Sequence, residues 1–246
     1  MSEQDPGQNP GQNQESQGRP EIERLMYISQ ATERHSHLEM IRAVCEAGCT
    51  WIQLRMKDAS ESELFDTARD ALEICKPWGA KLIINDNPHV VLATGADGVH
   101  LGKNDMSPEK ARDLLGDGFI IGGTANTLED IEAYVVDGFV DYIGLGPLRF
   151  TETKKNLSPQ IGLQGYRPMM IQCGFRDVEI PILAIGGVQT DDILELRAAG
   201  VFGVAISGLI TRSARKATLI KQIYALLGGV RENEKHGSAS DRREDI

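Results

Sequence analysis

Tyr142-Ile-Gly-Leu145 is an apolar run that breaks at the pair Gly146-Pro147 and opens into Leu148-Arg-Phe-Thr-Glu-Thr-Lys154. The loop presents two hydroxyls, Thr151 and Thr153, beside two cations, Lys154 and Lys155. A buried strand that stops abruptly and exposes hydroxyls and ammonium groups suits an oxyanion such as phosphate, which takes positive charge and several short donors at once. A polar surface loop has the same composition, so the stretch is weighed against the rest of the chain.

Seven other runs resemble it: Leu25 to Ser29, Trp51 to Leu54, Lys81 to Asn85, Gly98 to Leu101, Ile120 to Gly123, Pro181 to Ile185 and Gly203 to Ile206. Between them lie segments of helical period. Ser60-Glu-Ser-Glu63 is a capping box, with Leu64, Ala68, Ala71, Leu72 and Cys75 on one side of the helix it opens. Ser107-Pro108-Glu109 opens another, Thr127 and Thr190 before acidic residues cap two more, and a further helix is expected near Tyr166 to Cys173. Glycine closes the helices at Gly48, Gly79, Gly95, Gly116, Gly138 and Gly200. Eight nearly uniform apolar strands with helical crossovers imply a parallel sheet buried on both faces. The expected fold is a single (β/α)8 TIM barrel over residues 23–230. A doubly wound open sheet is the competing topology, but no G-x-G-x-x-G follows the first strand.

Composition bounds the function. At 246 residues and 41% hydrophobic, the chain can bury one sizeable core. A net charge of -10 disfavours nucleic acid, whose binding rests on a basic face, but leaves room for a small phosphorylated ligand. No apolar run approaches the roughly 18 residues that span a bilayer. Residues 1–22 form a leader rich in Gln, Gly, Asn and Pro, without the apolar centre of a signal peptide, and are expected to be disordered. Residues 231–246 form a polar tail. Cys45, Cys49, Cys75 and Cys173 form no disulfide framework; Cys45 and Cys49 are spaced to share a helical face, and all four fit core thiols of a cytoplasmic protein. Assembly into a homo-oligomer is compatible with the sequence and not indicated by it.

In such a barrel, chemistry sits where strands meet the following helices. Strand two ends in Gln53-Leu-Arg55-Met-Lys57, and alternation puts Gln53, Arg55 and Lys57 on one side. Two cations at a barrel mouth need a negative partner, either a neighbouring carboxylate or a diphosphate. Strand three ends in Asn85-Asp86-Asn87 and strand four in His100-Leu-Gly-Lys-Asn-Asp105. Asp86 and Asp105 either cap the next helices or, as adjacent hard carboxylates, hold Mg²⁺. Strand five offers Thr124, strand seven Gly186-Gly187, and strand eight Ile206-Ser207-Gly208, where bare amides can hold a phosphate. His100 belongs to no triad and is taken as packing or a local hydrogen bond.

These motifs together resemble thiamine phosphate synthase: Gln53-Leu-Arg-Met-Lys57, Ile84-Asn-Asp86, Gly98-Val-His-Leu-Gly102 with Asp105, Tyr142-Ile-Gly-Leu-Gly-Pro147, Thr151-Glu-Thr-Lys154, Ile185-Gly-Gly187 and Ile206-Ser207. The resemblance runs from about Leu25 to Leu227. It implies coupling of a hydroxymethylpyrimidine diphosphate to a thiazole phosphate, with release of diphosphate. It further implies that Gln53, Arg55, Lys57, Asn85, Thr124 and Lys154 contact the pyrimidine substrate. Asp86 and Asp105 would hold Mg²⁺, and Thr151, Thr153, Gly187, Ile206 and Ser207 the thiazole phosphate. Four positions depart from the family pattern: Thr124 stands for the usual Ser, Asn126 for a frequent His, and Arg149-Phe150 for an aromatic and Pro. A thiazole tautomerase-like relative and a non-catalytic ligand-binding barrel are the alternatives.

Overall fold

The computed structural model describes residues 20–150 and 159–229. Its strands are β1 (Leu25–Ile28), β2 (Trp51–Leu54), β3 (Lys81–Asn85), β4 (Gly98–Leu101), β5 (Ile120–Ala125), β6 (Tyr142–Leu145), β7 (Ile182–Ile185) and β8 (Gly203–Ile206). All neighbours are parallel, and β8 pairs with β1 to close the barrel. The intervening helices are α1 (His37–Glu46), α2 (Glu61–Cys75), α3 (Pro88–Thr94), α4 (Pro108–Leu115), α5 (Leu128–Asp137), α6 (Gly162–Phe175) and α7 (Ile193–Ala198); α8 (Gly208–Arg212) and α9 (Lys216–Leu226) follow β8. The open-sheet alternative is thereby excluded.

Alternation sorts the strand side chains into two apolar layers. Leu25, Tyr27, Ile52, Leu54, Leu82 and Ile84 point outward and pack under the helices. Met26, Ile28, Trp51, Ile83, Ile120, Tyr142, Leu183 and Ala205 point inward and fill the barrel. This is why the strands read as continuous apolar runs: each face meets a core.

Local signals act largely where expected. Ser60 and Thr127 form reciprocal capping boxes with Glu63 and Asp130, and Ser107 caps α4 ahead of Pro108. Each glycine named as a helix end adopts a positive φ. Two expectations are corrected. Thr190 caps no helix: it begins a single 3-10 turn capped by Gln189, because the Asp192 carboxylate reaches back to the Gln189 N–H. Cys49 is not on the helix with Cys45, since α1 ends at Glu46 and Gly48 turns the chain with φ +94°. All four cysteines are buried and free.

A largely buried ion pair fastens the face opposite the strand C-termini. Arg112, near the end of α4, donates to the carbonyls of Gly116, Phe119 and Phe139 and to Asp141 at 2.8 Å. The same carboxylate oxygen accepts the Ile121 N–H at 2.8 Å. Removing one partner of such a pair strands the other charge and costs about 3–5 kcal/mol. Arg112→Met should therefore lower the unfolding free energy by about that amount in denaturant titrations. The specific activity of its folded fraction should stay at the wild-type level, because the pair lies far from the barrel mouth.

Candidate active site

Within the described segments, the selected residues gather at the C-terminal ends of the strands. Gln53, Asn85 and Thr124 occupy inward positions of β2, β3 and β5 by the parity that aims Trp51, Ile83 and Ile120 into the barrel. Arg55 continues the inward parity just beyond β2. Its backbone N–H donates to Ser29 Oγ at 3.1 Å, and that hydroxyl lies 2.8 Å from His37 Nδ1 at the start of α1. Burial holds the His37 pKa below its ordinary value and favours the neutral ring, while Ser29 Oγ accepts from the Arg55 N–H. Ser29 and His37 thus fix the backbone that presents Arg55. Neither stood out in the sequence, and the available signal was only a buried polar residue directly after β1.

Burial lowers the Arg55 pKa, against the attraction of Asp86 and then Asp58. Asp86 itself sits in the left-handed region at φ +68°, a strained conformation for a non-glycine residue, and its N–H donates to the His100 carbonyl at 2.9 Å. Its carboxyl is pushed up to about 6, first by burial and then by the hydrogen bond and repulsion from Asp105; Lys57 and Arg55 oppose the shift. Lys57 is solvent-exposed, yet its charge reaches this carboxylate. Asp105 Oδ2 accepts the Gly102 N–H at 2.7 Å.

Neither aspartate caps a helix. Asn87 takes that role for α3 and Ser107 for α4. Two carboxylates therefore lie close enough to interact, within the field of two cations, with no helix end to explain them. Among the described residues no group of three or more His, Cys, Asp or Glu could hold a metal by itself. The pair still fits Mg²⁺, which commonly takes one or two carboxylates and completes its shell with water and substrate phosphate oxygens.

Across the mouth, Gly186 and Gly187 turn with φ +88° and +73°. Ser207 donates to Gln30 Oε1 at 3.2 Å. Ile206 is placed differently from the other selected residues: its side chain belongs to the outer layer, leaving only its backbone for a ligand. Thr151, Thr153 and Lys154 lie outside the described residues. The side-chain amide of Asn126 donates to the Gly146 carbonyl and its N–H to Asp130 at 2.8 Å, so this residue joins the ends of β5 and β6.

A family model described as thiamine monophosphate synthase matches residues 25–210. The chain is 45% identical over 199 residues to the thiamine-phosphate synthase of Bacteroides fragilis, covering 81% of this chain and 97% of that one. It is 44% identical over 200 residues to the thiamine-phosphate synthase of Flavobacterium johnsoniae, covering 81% and 94%. The chain belongs to the thiamine monophosphate synthase family. A solved relative, the thiamine phosphate pyrophosphorylase of Pyrococcus furiosus, superposes with a TM-score of 0.71 at 28% identity, covering 83% of this chain and 95% of that one.

This family member anchors the base of its β6–α6 loop with an ion pair. Arg149 makes a two-pronged contact with Asp192 at 2.5 and 2.7 Å, and its backbone N–H donates to the Gly186 carbonyl at 2.8 Å. Its guanidinium also reaches the Gly187 carbonyl at 3.2 Å. The departure Arg149-Phe150 therefore ties the loop to the glycine turn after β7 by hydrogen bonds, while the Phe150 side chain is exposed.

Two predictions follow from this geometry. Asp86→Asn keeps a residue that tolerates the left-handed backbone and removes one of two repelling carboxylates. In metal-free buffer its melting temperature should equal or exceed the wild-type value, while stabilisation by added Mg²⁺ should be lost. A fall in metal-free stability with the Mg²⁺ response intact would contradict the pairing. Burial would raise the Asp192 pKa, but Arg149 and the Gln189 N–H outweigh it and the net shift is downward. A folded value below the unfolded one stabilises the protein above about pH 3.9 and loses that contribution as pH falls through the folded value. The stability gap between wild type and Asp192→Asn, measured by calorimetry, should be widest near neutrality and close in strong acid.

Proposed function

We propose that this chain is a thiamine-phosphate synthase, a transferase that couples 4-amino-2-methyl-5-hydroxymethylpyrimidine diphosphate with a thiazole phosphate and releases diphosphate. The observation that carries the reading is the Asp86–Asp105 pair set beside Arg55 and Lys57 at the barrel mouth, in a chain of this family. Phosphates and a divalent cation are what that combination of charges accommodates. The same reading assigns catalysis to residues 23–230, and a cytoplasmic location fits four free thiols. No helix among the described residues is long and apolar enough to cross a membrane.

Arg55 and Lys57 bind the diphosphate, while Gln53, Asn85 and Thr124 orient the pyrimidine from inward strand positions. Asp86 and Asp105 would hold Mg²⁺, which when bound supplies positive charge to the diphosphate oxygens. Thr151, Thr153, Gly187, Ser207 and the backbone of Ile206 hold the thiazole phosphate. The bond between the pyrimidine methylene and the diphosphate oxygen breaks, the electron pair leaves with diphosphate, and the thiazole nitrogen donates its lone pair to the methylene carbon. No general base is required at that nitrogen. The protein's contribution is charge stabilisation and alignment. Lys154 meets the charge that grows on the departing oxygen.

Purified protein should form thiamine phosphate from the two substrates with Mg²⁺ and not with chelator present. Lys154→Gln should lower kcat by about 10²-fold, with a smaller change in KM for the pyrimidine diphosphate. No product from the wild-type protein would sink the functional assignment. A Lys154→Gln variant altered only in KM would show uniform binding rather than transition-state stabilisation.

A further inference from the structure

A chain of hydrogen bonds crosses the barrel interior beneath the site. His100 on β4 and Tyr142 on β6 flank β5, and the registers align both with Gly122. A Cβ at Gly122 would lie 2.1 Å from the Tyr142 ring carbon Cζ. The missing side chain lets the two rings meet across β5, with His100 Nδ1 3.0 Å from the Tyr142 hydroxyl and the rings stacked at 5.5 Å. Gly144 makes room from the other side, since a Cβ there would lie 3.1 Å from His100 Cε1. His100 Nε2 is 3.0 Å from Thr124 Oγ1, one inward position nearer the mouth than Gly122. On β2, the Gln53 side chain donates from Nε2 to Met26 Sδ at 3.5 Å.

The polarity of this chain follows from donor accounting. Gln53, His100 and Tyr142 are buried, with exposures of 1%, 6% and 1%. Each donor left unmade there costs the desolvation of that group. The buried Tyr142 O–H needs an acceptor, and His100 Nδ1 at 3.0 Å is the one beside it. The neutral ring then carries its proton on Nε2 and donates it to Thr124 Oγ1. Thr124 is left with its own O–H to give.

We propose that the Tyr142–His100–Thr124 chain fixes the Thr124 hydroxyl as a donor towards the barrel mouth, making Tyr142 and His100 positioning residues for an acceptor atom of the pyrimidine diphosphate. The identity of that ligand rests on the functional reading above; the polarity of the chain does not.

The tautomer is read directly in ligand-free, ¹⁵N-histidine-labelled protein, with the His100 signals identified by their loss in His100→Gln. A ring protonated on Nε2 alone is expected. An Nδ1–H tautomer or a doubly protonated ring overturns the proposal, whether or not the protein couples substrates; failure to couple overturns the functional reading instead. In kinetics, Tyr142→Phe should raise KM for the pyrimidine diphosphate about 10-fold, the size of one net hydrogen bond, and leave KM for the thiazole phosphate unchanged. Added to Thr124→Val it should cause no further rise, because the chain acts only through that hydroxyl. Additive effects, or equal shifts in both KM values, overturn it. Inhibition by inorganic diphosphate distinguishes the acceptor: weakened by Tyr142→Phe if Thr124 meets the diphosphate, unchanged if it meets the ring. Should Tyr142→Phe fail to fold, the tautomer measurement still decides.

Discussion

The inside of an eight-stranded barrel is only wide enough for packed side chains, and here two of the largest occupy it. Trp51 and Tyr142 meet edge to face with centroids 4.9 Å apart. Their volume dictates what faces them. Gly98, Gly122, Gly144, Gly203 and Ala205 take inward positions, and a Cβ at Gly122 would overlap the Tyr142 ring. Added at Gly98 or Gly203, it would instead strike backbone, the carbonyls of Ile120 and Arg24. The inward glycines are packing requirements before they are anything else.

That arrangement also shapes the mouth. Above the aromatic layer the inward positions become polar: Gln53 on β2, Asn85 on β3, His100 on β4 and Thr124 on β5. Polar groups so deep need partners, and the His100 ring links the Tyr142 hydroxyl to Thr124. The charged groups lie further out, on the segments after the strands, where solvent and ligand can share their fields. Asp86 and Asp105 are pressed together there against their own repulsion, a state that a divalent cation relieves. The site is therefore graded, from apolar floor through a neutral hydrogen-bonded layer to a charged rim.

Much of this was legible in the chain. Continuous apolar runs, capping residues and terminal glycines specified the eight units, because each acts through contacts a few residues away. The candidate residues within the described segments were grouped by position, since strand ends in this architecture project into one mouth. Where the reading failed at Thr190, a longer contact intervened. Asp192 looks like part of a Thr190-capped helix start, but its carboxylate is committed to Arg149, forty-three residues away in sequence. Asp86 and Asp105 could each be read as a helix cap until Asn87 and Ser107 were seen in those roles.

The sequence by itself determined the alternation of strands and helices and the order in which polar residues follow the strands. These depend on local propensity and on the periods of side-chain direction. Closure of the barrel decided the rest. It turned Ile206 outward while Thr124 faces in, set Ser29 and His37 behind Arg55, and aligned His100 and Tyr142 on either side of Gly122. Such juxtapositions arise from the lateral register between strands, which no single segment encodes and which is fixed only when all eight pack around a shared interior.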